Sequence, residues 1–231
     1  MRQITHWGKR LLIGALALFV LYQLWLFAQV LWWKEFNPGS TAFMELRLAE
    51  LREKNPQAKL KYQWVDYAHI SPNLKRALIA AEDAKFVDHE GFDWDGMQKA
   101  IEKNQKKGRV VAGGSTISQQ LAKNLFLSPT KTPWRKAEEA VITLMLENVW
   151  SKQRIFEVYL NVIEWGDGVF GAEAAARHYY GIGAAQLSAE QAARLAGMVP
   201  NPRYYDRHRG TPGLARKTAI ILSRMPAAAL P

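Results

Sequence analysis

No cysteine occurs anywhere in the 231 residues. A disulfide framework and a thiolate zinc site are thereby excluded, and an oxidising compartment would do the chain no chemical harm. Internal repeats are absent, and the closing "PAAALP" is the one low-complexity tract. Strand patterning is scarce as well: "KLKYQWV", with Leu60, Tyr62 and Trp64 alternating, is the single good strand signal. Acidic residues are in deficit, 21 Asp and Glu against 31 Lys and Arg, for a formal net charge of +10. With nine tryptophans beside it, that excess points to an anionic partner and an interface, which nucleic acid and a membrane surface both satisfy. The length gives room for one large domain or two small ones with a sizeable core.

From Leu11 to Trp33 no charged residue interrupts the chain. As a helix that run is roughly 34 Å long at 1.5 Å per residue, enough to span a bilayer. A signal peptide would have a shorter apolar region ending in a small-residue cleavage site, whereas this one ends in Trp32-Trp33-Lys34, so a retained anchor is the expectation. Arg2, Lys9 and Arg10 precede the span and only Lys34, balanced by Glu35, follows closely, which places the N-terminus in the cytoplasm and the rest outside. Trp25, Trp32 and Trp33 suit the outer interface. The expected organisation is a cytoplasmic tail (1–10), an anchor (11–33), a neck with a short strand (34–72) and a catalytic domain (73–231).

Beyond the neck the apolar spacing is helical almost throughout, so the class is mainly α. A helix is expected over 73–87, where Leu74, Leu78, Glu82 and Phe86 recur every fourth residue, so that Glu82 shares the apolar stripe. Behind it "EDAKFVDHEG" gathers four carboxylates and a histidine, readable as a metal cage, a solvated cluster or the seat of an acid/base catalyst. One histidine without a second is poor metal spacing. Asp83, Asp88 and Glu90 fall on other faces, as caps or solvated charges, and His89 before Gly91 suits a helix end bonded to local backbone. Glu82 differs: desolvation and the negative end of the helix dipole would both raise its pKa towards neutrality, where a general base or acid works best, unless it lies at the stripe's edge and reaches water.

In "GGSTISQQ" the two glycines, Gly113 and Gly114, permit close backbone approach, and Thr116 with Gln119 forms a capping box whose free N–H groups favour an anion. Ser115, Gln119 and Lys123 then recur at fourfold spacing as a polar face opposite Ile117, Leu121 and Leu125; a glycine turn with a solvated helix face reads equally well. This is not a phosphate-binding loop of the Gly-Lys-Ser/Thr type. Further on, Thr132 is a good N-cap and Pro133 a good first residue, which puts Arg135 and Lys136 in a first turn where cations oppose the dipole. A bound phosphate would turn that into one anion site. Glu139 can pair with Arg135 or help hold a divalent ion, and Arg109 offers a third cation before the diglycine.

In order and spacing, "EDAKFVDHEG", "GGSTISQQLAKN", "RKAEE", "KQRIFEVYLN" and "GAEAAARHYYG" resemble the five blocks of the peptidoglycan glycosyltransferase family, specifically its monofunctional biosynthetic branch. "LAGMVPNP" is similar too, and Ile155, Phe156 and Tyr180 are conservative departures. The resemblance implies a lysozyme-like, two-lobed helical domain that polymerises lipid II into β-1,4-linked glycan, inverting at C1 and releasing undecaprenyl pyrophosphate. It implies Glu82 as the base, with Glu139 as a second glutamate that orients cations or a metal. Lys123 and Arg135 would neutralise the pyrophosphate, with Arg109, Lys136, Ser115 and Gln119 in support. Asp83, Gly114, Glu157 and Asn161 match motif positions with structural roles.

No organic cofactor is implied; a divalent cation, Mg or Mn, at Glu139 is the one candidate. The implied partners are lipid II, the growing glycan, membrane lipids and proteins of cell-wall synthesis or division, with no nucleic acid. The implied location is the bacterial inner membrane, single-pass, with a periplasmic domain. Leu125, Phe126, Leu127 and Trp134 beside lysines suit a lip dipping into lipid headgroups, or a plain core loop. A cell-wall hydrolase or lytic enzyme with one buried Glu, and a non-catalytic polyprenyl-phosphate binding module, are the rival functions. A penicillin-binding transpeptidase is excluded, since "SPTK" has no Lys-Thr-Gly after it.

Overall fold

The computed structural model describes residues 2–109, 113–130 and 132–231. Two compact units are present, Met1–Asn37 and Pro38–Pro231. The first is helix α1, Arg2–Glu35, whose stretch Trp7–Glu35 is long and apolar enough to cross a membrane. Its side chains from Leu11 to Trp25 are almost all exposed, as lipid-facing residues would be.

The second unit contains α2 (Ala42–Lys54), α3 (Pro72–Glu82), α4 (Trp94–Lys107), α5 (Ile117–Phe126), α6 (Pro133–Val149), α7 (Lys152–Val162), α8 (Ala172–Tyr180), α9 (Ala189–Met198), α10 (Pro202–Arg207) and α11 (Pro212–Arg224). The mainly α expectation holds. Most of these helices begin where the sequence supplies a cap: Thr41, Ser71, Asp93, Thr116, Thr132, Ser151, Ser188 and Thr211 each accept a hydrogen bond from the first turn. The core joins α3, α9 and α11 on one side to α5, α6 and α7 on the other, and Leu78, Ile117, Leu121, Phe156 and Tyr159 have no accessible surface.

Two expectations need correction. Strand β1 (Lys61–Tyr62) is not alone: β2 (Glu164–Gly166) and β3 (Val169–Phe170) complete a three-stranded sheet in the order β1-β3-β2, with β1 parallel and β2 antiparallel to β3. Strands of two or three residues are too short to show a period in the sequence. Of the segment read as a neck, the part from Pro38 onward belongs to the second unit, where α2 packs on α5. Arg47 fastens it there: Nε donates to Glu164 at 3.1 Å and Nη2 to Asp167 at 2.8 Å, with Arg47 and Glu164 both buried.

Removing one partner of such a pair strands the other charge in low dielectric. Arg47→Ala should therefore lower the Tm of the detergent-solubilised full-length chain by roughly 6–20 °C. An unchanged Tm would show that the pair contributes nothing.

Candidate active site

The expected helix over 73–87 stops early. Helix α3 ends at Glu82, and Asp83 leaves helical geometry at φ −160°, ψ 77°. The cause is a stronger partner for Asp83, whose Oδ2 accepts the Ile117 N–H at 3.0 Å, the first amide of α5. His89 adds a second donor. Gly91 N–H donates to its Nδ1, so the ring proton sits on Nε2 and reaches the Asp83 carboxylate at 3.0 Å. Asp83, which caps the end of α3, is therefore a buried link between two helices and not a solvated charge. Phe86 keeps its place in the core although it lies outside the helix.

This link sets Glu82, the last residue of α3, against α5. Its Oε2 accepts a hydrogen bond from Gln120 Nε2 at 2.9 Å. The side chain keeps partial access to solvent, yet burial dominates its titration and pushes its carboxyl above the ordinary value. The Gln120 hydrogen bond and the charges of Lys217 and Lys123 pull it down, and Asp83 pushes it up. A cavity of about 240 Å³ is lined by Glu82, Lys99, Gly113, Gly114, Ser115 and Thr116. Another, of about 250 Å³, is lined by Gln120, Lys123, Asn124 and Arg203 among others. The Glu82–Gln120 hydrogen bond joins their walls.

The capping box at the start of α5 forms as expected: Gln119 N–H donates to Thr116 Oγ1 at 3.2 Å, and Thr116 N–H to Gln119 Oε1 at 3.0 Å. Forming it removes Gln119 from the expected polar face. The side chain is turned back and buried, and Ser115 stands exposed before the helix, so the Ser115–Gln119–Lys123 row does not exist as a surface. Gln120 takes the place intended for Gln119. The signal was available: Gln120 lies three residues before Lys123 and so shares its face, once the cap has claimed Gln119. Gly114 provides the close approach read from the diglycine, since a Cβ there would lie 3.2 Å from Met97 Cα; Gly113 meets nothing within 4 Å.

Lys123 is half-buried, and burial holds its ammonium below the usual lysine value; Glu139 and Glu82 raise it, while Arg135 and Lys136 lower it further. Glu139 is buried and bridges two cations, accepting from Arg135 Nη1 at 2.6 Å and from Lys136 Nζ. The expected first-turn cations of α6 are thus in place, with Thr132 as N-cap. Arg109 is exposed after the left-handed Gly108 that ends α4. Among the described residues no group of three His, Asp or Glu could hold a metal ion, and both Glu139 oxygens face cations, so these side chains do not form a divalent site around Glu139. Of the expected lip, Leu125 and Leu127 are core residues, Phe126 is half-buried and Trp134 is exposed; Lys131 lies outside the described residues.

Glu157 accepts the Tyr67 N–H at 2.8 Å and pairs with Arg154 at 2.7 Å. The Asn161 amide bonds both backbone groups of Val65 at 2.9 Å. Both brace α7 against the chain around β1. Two further groups at the site carried no warning: Lys217 of α11, from the far end of the sequence, and Tyr159 of α7, fully buried with its hydroxyl 3.0 Å from Gln120 Oε1.

A partly accessible, desolvated carboxyl beside a half-buried group of basic side chains is an arrangement suited to group transfer. The transglycosylase family profile matches residues 48–226, and the chain belongs to that family of glycosyltransferases, whose catalytic domain is lysozyme-like and helical. It is 73% identical over 231 residues, all of both chains, to a biosynthetic peptidoglycan transglycosylase of Dechloromonas aromatica (strain RCB). It is 66% identical over 228 residues, 99% of this chain and 100% of the other, to the protein of that name in Laribacter hongkongensis (strain HLHK9).

Since Glu139 raises the pKa of Lys123, Glu139→Gln should make the Lys123 ammonium lose its proton at lower pH. Nitrogen-detected NMR titration of lysine-labelled protein would read the shift; an unchanged or raised Lys123 value would contradict the electrostatic assignment.

Proposed function

We propose that the chain polymerises lipid II, transferring the glycan carried on undecaprenyl pyrophosphate to the 4-hydroxyl of an acceptor sugar. The observation that carries this reading is Glu82, a carboxyl with raised pKa held between two cavities by Gln120, with Lys123 and Lys217 acting on it. Pyrophosphate is already a stable leaving group, so the reaction asks for a base and for positive charge but for no strong acid. Glu82 takes the proton of the attacking hydroxyl. The oxygen forms its bond to C1 of the donor from the face opposite the leaving group, the C1–O bond to phosphate breaks, and the departing electron pair settles on oxygens met by Lys123, Arg135 and Lys136. C1 is inverted, which yields a β-1,4 link.

Glu139 has the role of organiser: it holds Arg135 and Lys136 side by side when no anion is bound and limits their depression of the Lys123 pKa. Ser115, exposed at the mouth of the cavity beside Glu82, supplies a hydroxyl there, while the exposed Arg109 meets the pyrophosphate from the loop side. The same cationic group argues against a glycan hydrolase, which has no diphosphate to neutralise.

The charge bias around α1 supports a cytoplasmic N-terminus and a periplasmic location for residues after 37. Along α6 the exposed Trp134, Val141 and Leu144 recur at helical spacing, which supports a surface that dips into the headgroup layer, where a polyprenyl-linked substrate is confined.

Glu82→Gln should retain its fold by circular dichroism and lose at least about a hundredfold in lipid II polymerisation. In the wild type the acid limb of the rate profile should lie above the ordinary glutamate range, because the active form is the carboxylate and its pKa is raised. A near-wild-type rate for the variant would remove Glu82 from the mechanism. Lys123→Ala should cost about two to three decades in the same assay.

A further inference from the structure

Three groups form a chain of hydrogen bonds that ends on the base. The Tyr159 hydroxyl donates to Gln120 Oε1 at 3.0 Å, and Gln120 Nε2 donates to Glu82 Oε2 at 2.9 Å. Tyr159 has no accessible surface, so its ring cannot swing out to water and its hydroxyl must find its partner inside the protein. A glutamine amide has a donor end and an acceptor end of nearly equal shape, and nothing in its own rotamer preference decides which end faces a neighbour. Here the two flanking groups decide it. The Glu82 carboxylate only accepts, and the Tyr159 hydroxyl supplies the donor that the amide oxygen needs.

We propose that Tyr159 is a positioning residue: its buried hydroxyl holds the Gln120 amide with the NH₂ end towards Glu82, and thereby keeps one oxygen of the base occupied and the other directed at substrate. The inference rests on Glu82 being the base, and it adds to that reading the device that orients it. Tyr159 touches no reacting atom. With Phe in its place the amide oxygen loses its donor, and a flipped amide would turn its own lone pairs on the carboxylate. That orientation favours protonated Glu82, which can donate to it, over the ionised form the reaction requires.

The groups facing Glu82 are Lys123 of α5 and Lys217 of α11, which favour the carboxylate, and Asp83, the next residue, which opposes it. Tyr159→Phe leaves all three in place. The pH dependence of the variant therefore reports the amide alone.

The test uses the full-length detergent-solubilised enzyme, with initial rates of lipid II polymerisation measured from acid to alkaline pH. Tyr159→Phe is expected to move the acid limb upward by about one pH unit, the size of one lost charge-assisted hydrogen bond. Much of the rate should return at high pH. Gln120→Met should move the limb in the same direction, and adding Tyr159→Phe to it should move it no further, because both remove the same bond. An unmoved limb in folded Tyr159→Phe, or shifts that add in the double variant, would overturn the proposal. If Tyr159→Phe does not fold, an unmoved limb in Gln120→Met overturns it equally. Glu82→Gln serves as the separate control: activity there would defeat the assignment of the base, whereas its inactivity beside an unmoved Tyr159→Phe limb would defeat only the positioning role.

Discussion

The hydrogen bond from the Ile117 amide to the Asp83 carboxylate joins the end of one helix to the beginning of another, and the geometry of the site follows from it. Asp83 gives up helical backbone geometry to make that contact, and this ends α3 at Glu82. Ile117 is the first residue of α5, so its amide has no partner within the helix and a buried acceptor there satisfies a donor that would otherwise be costly. Once the two termini are tied, Gln120 lies one turn into α5, opposite Glu82, and Lys123 lies one turn further along the same face. The His89 ring supports the link from the other side through its bond to Asp83.

The charges around this link are arranged by degrees of desolvation. Glu82 is pushed towards the neutral form and Lys123 towards the neutral amine, each mainly by burial, and each is partly restored by charges of opposite sign. A cluster of cations without Glu139 would repel itself and lower the lysine further. Bridging Arg135 and Lys136 through one buried carboxylate keeps three basic groups close together while leaving net positive charge on the cluster. In the proposed reaction, affinity and proton transfer draw on the same low-dielectric region without cancelling.

Much of this could be read from the residues. Cap chemistry marked the starts of α5 and α6, and the fourfold spacing of Leu74, Leu78 and Glu82 put the carboxyl on the buried side. The legible part consists of contacts between residues close in sequence, where helical geometry fixes distance. What escaped depended on contacts between distant segments. Asp83 could be read as a cap or a structural residue, but its partner, Ile117, lies 34 positions away and no local spacing names it. Gln119 looked available because its cap was recognised but the burial that accompanies the cap was not. Tyr159 and Lys217 reach the site from α7 and α11, and no local period connects either of them with Glu82. Strands β2 and β3 are shorter than any repeat that could announce them.

Lys217 belongs to the last helix of the chain, which packs on α3 and α9 and brings its charge to a glutamate 135 positions earlier (217 − 82). That separation has a meaning for folding. Until α11 has docked on α3 and α9, Glu82 lacks the charge of Lys217, so its electrostatic surroundings are completed by a tertiary contact and not by its own helix.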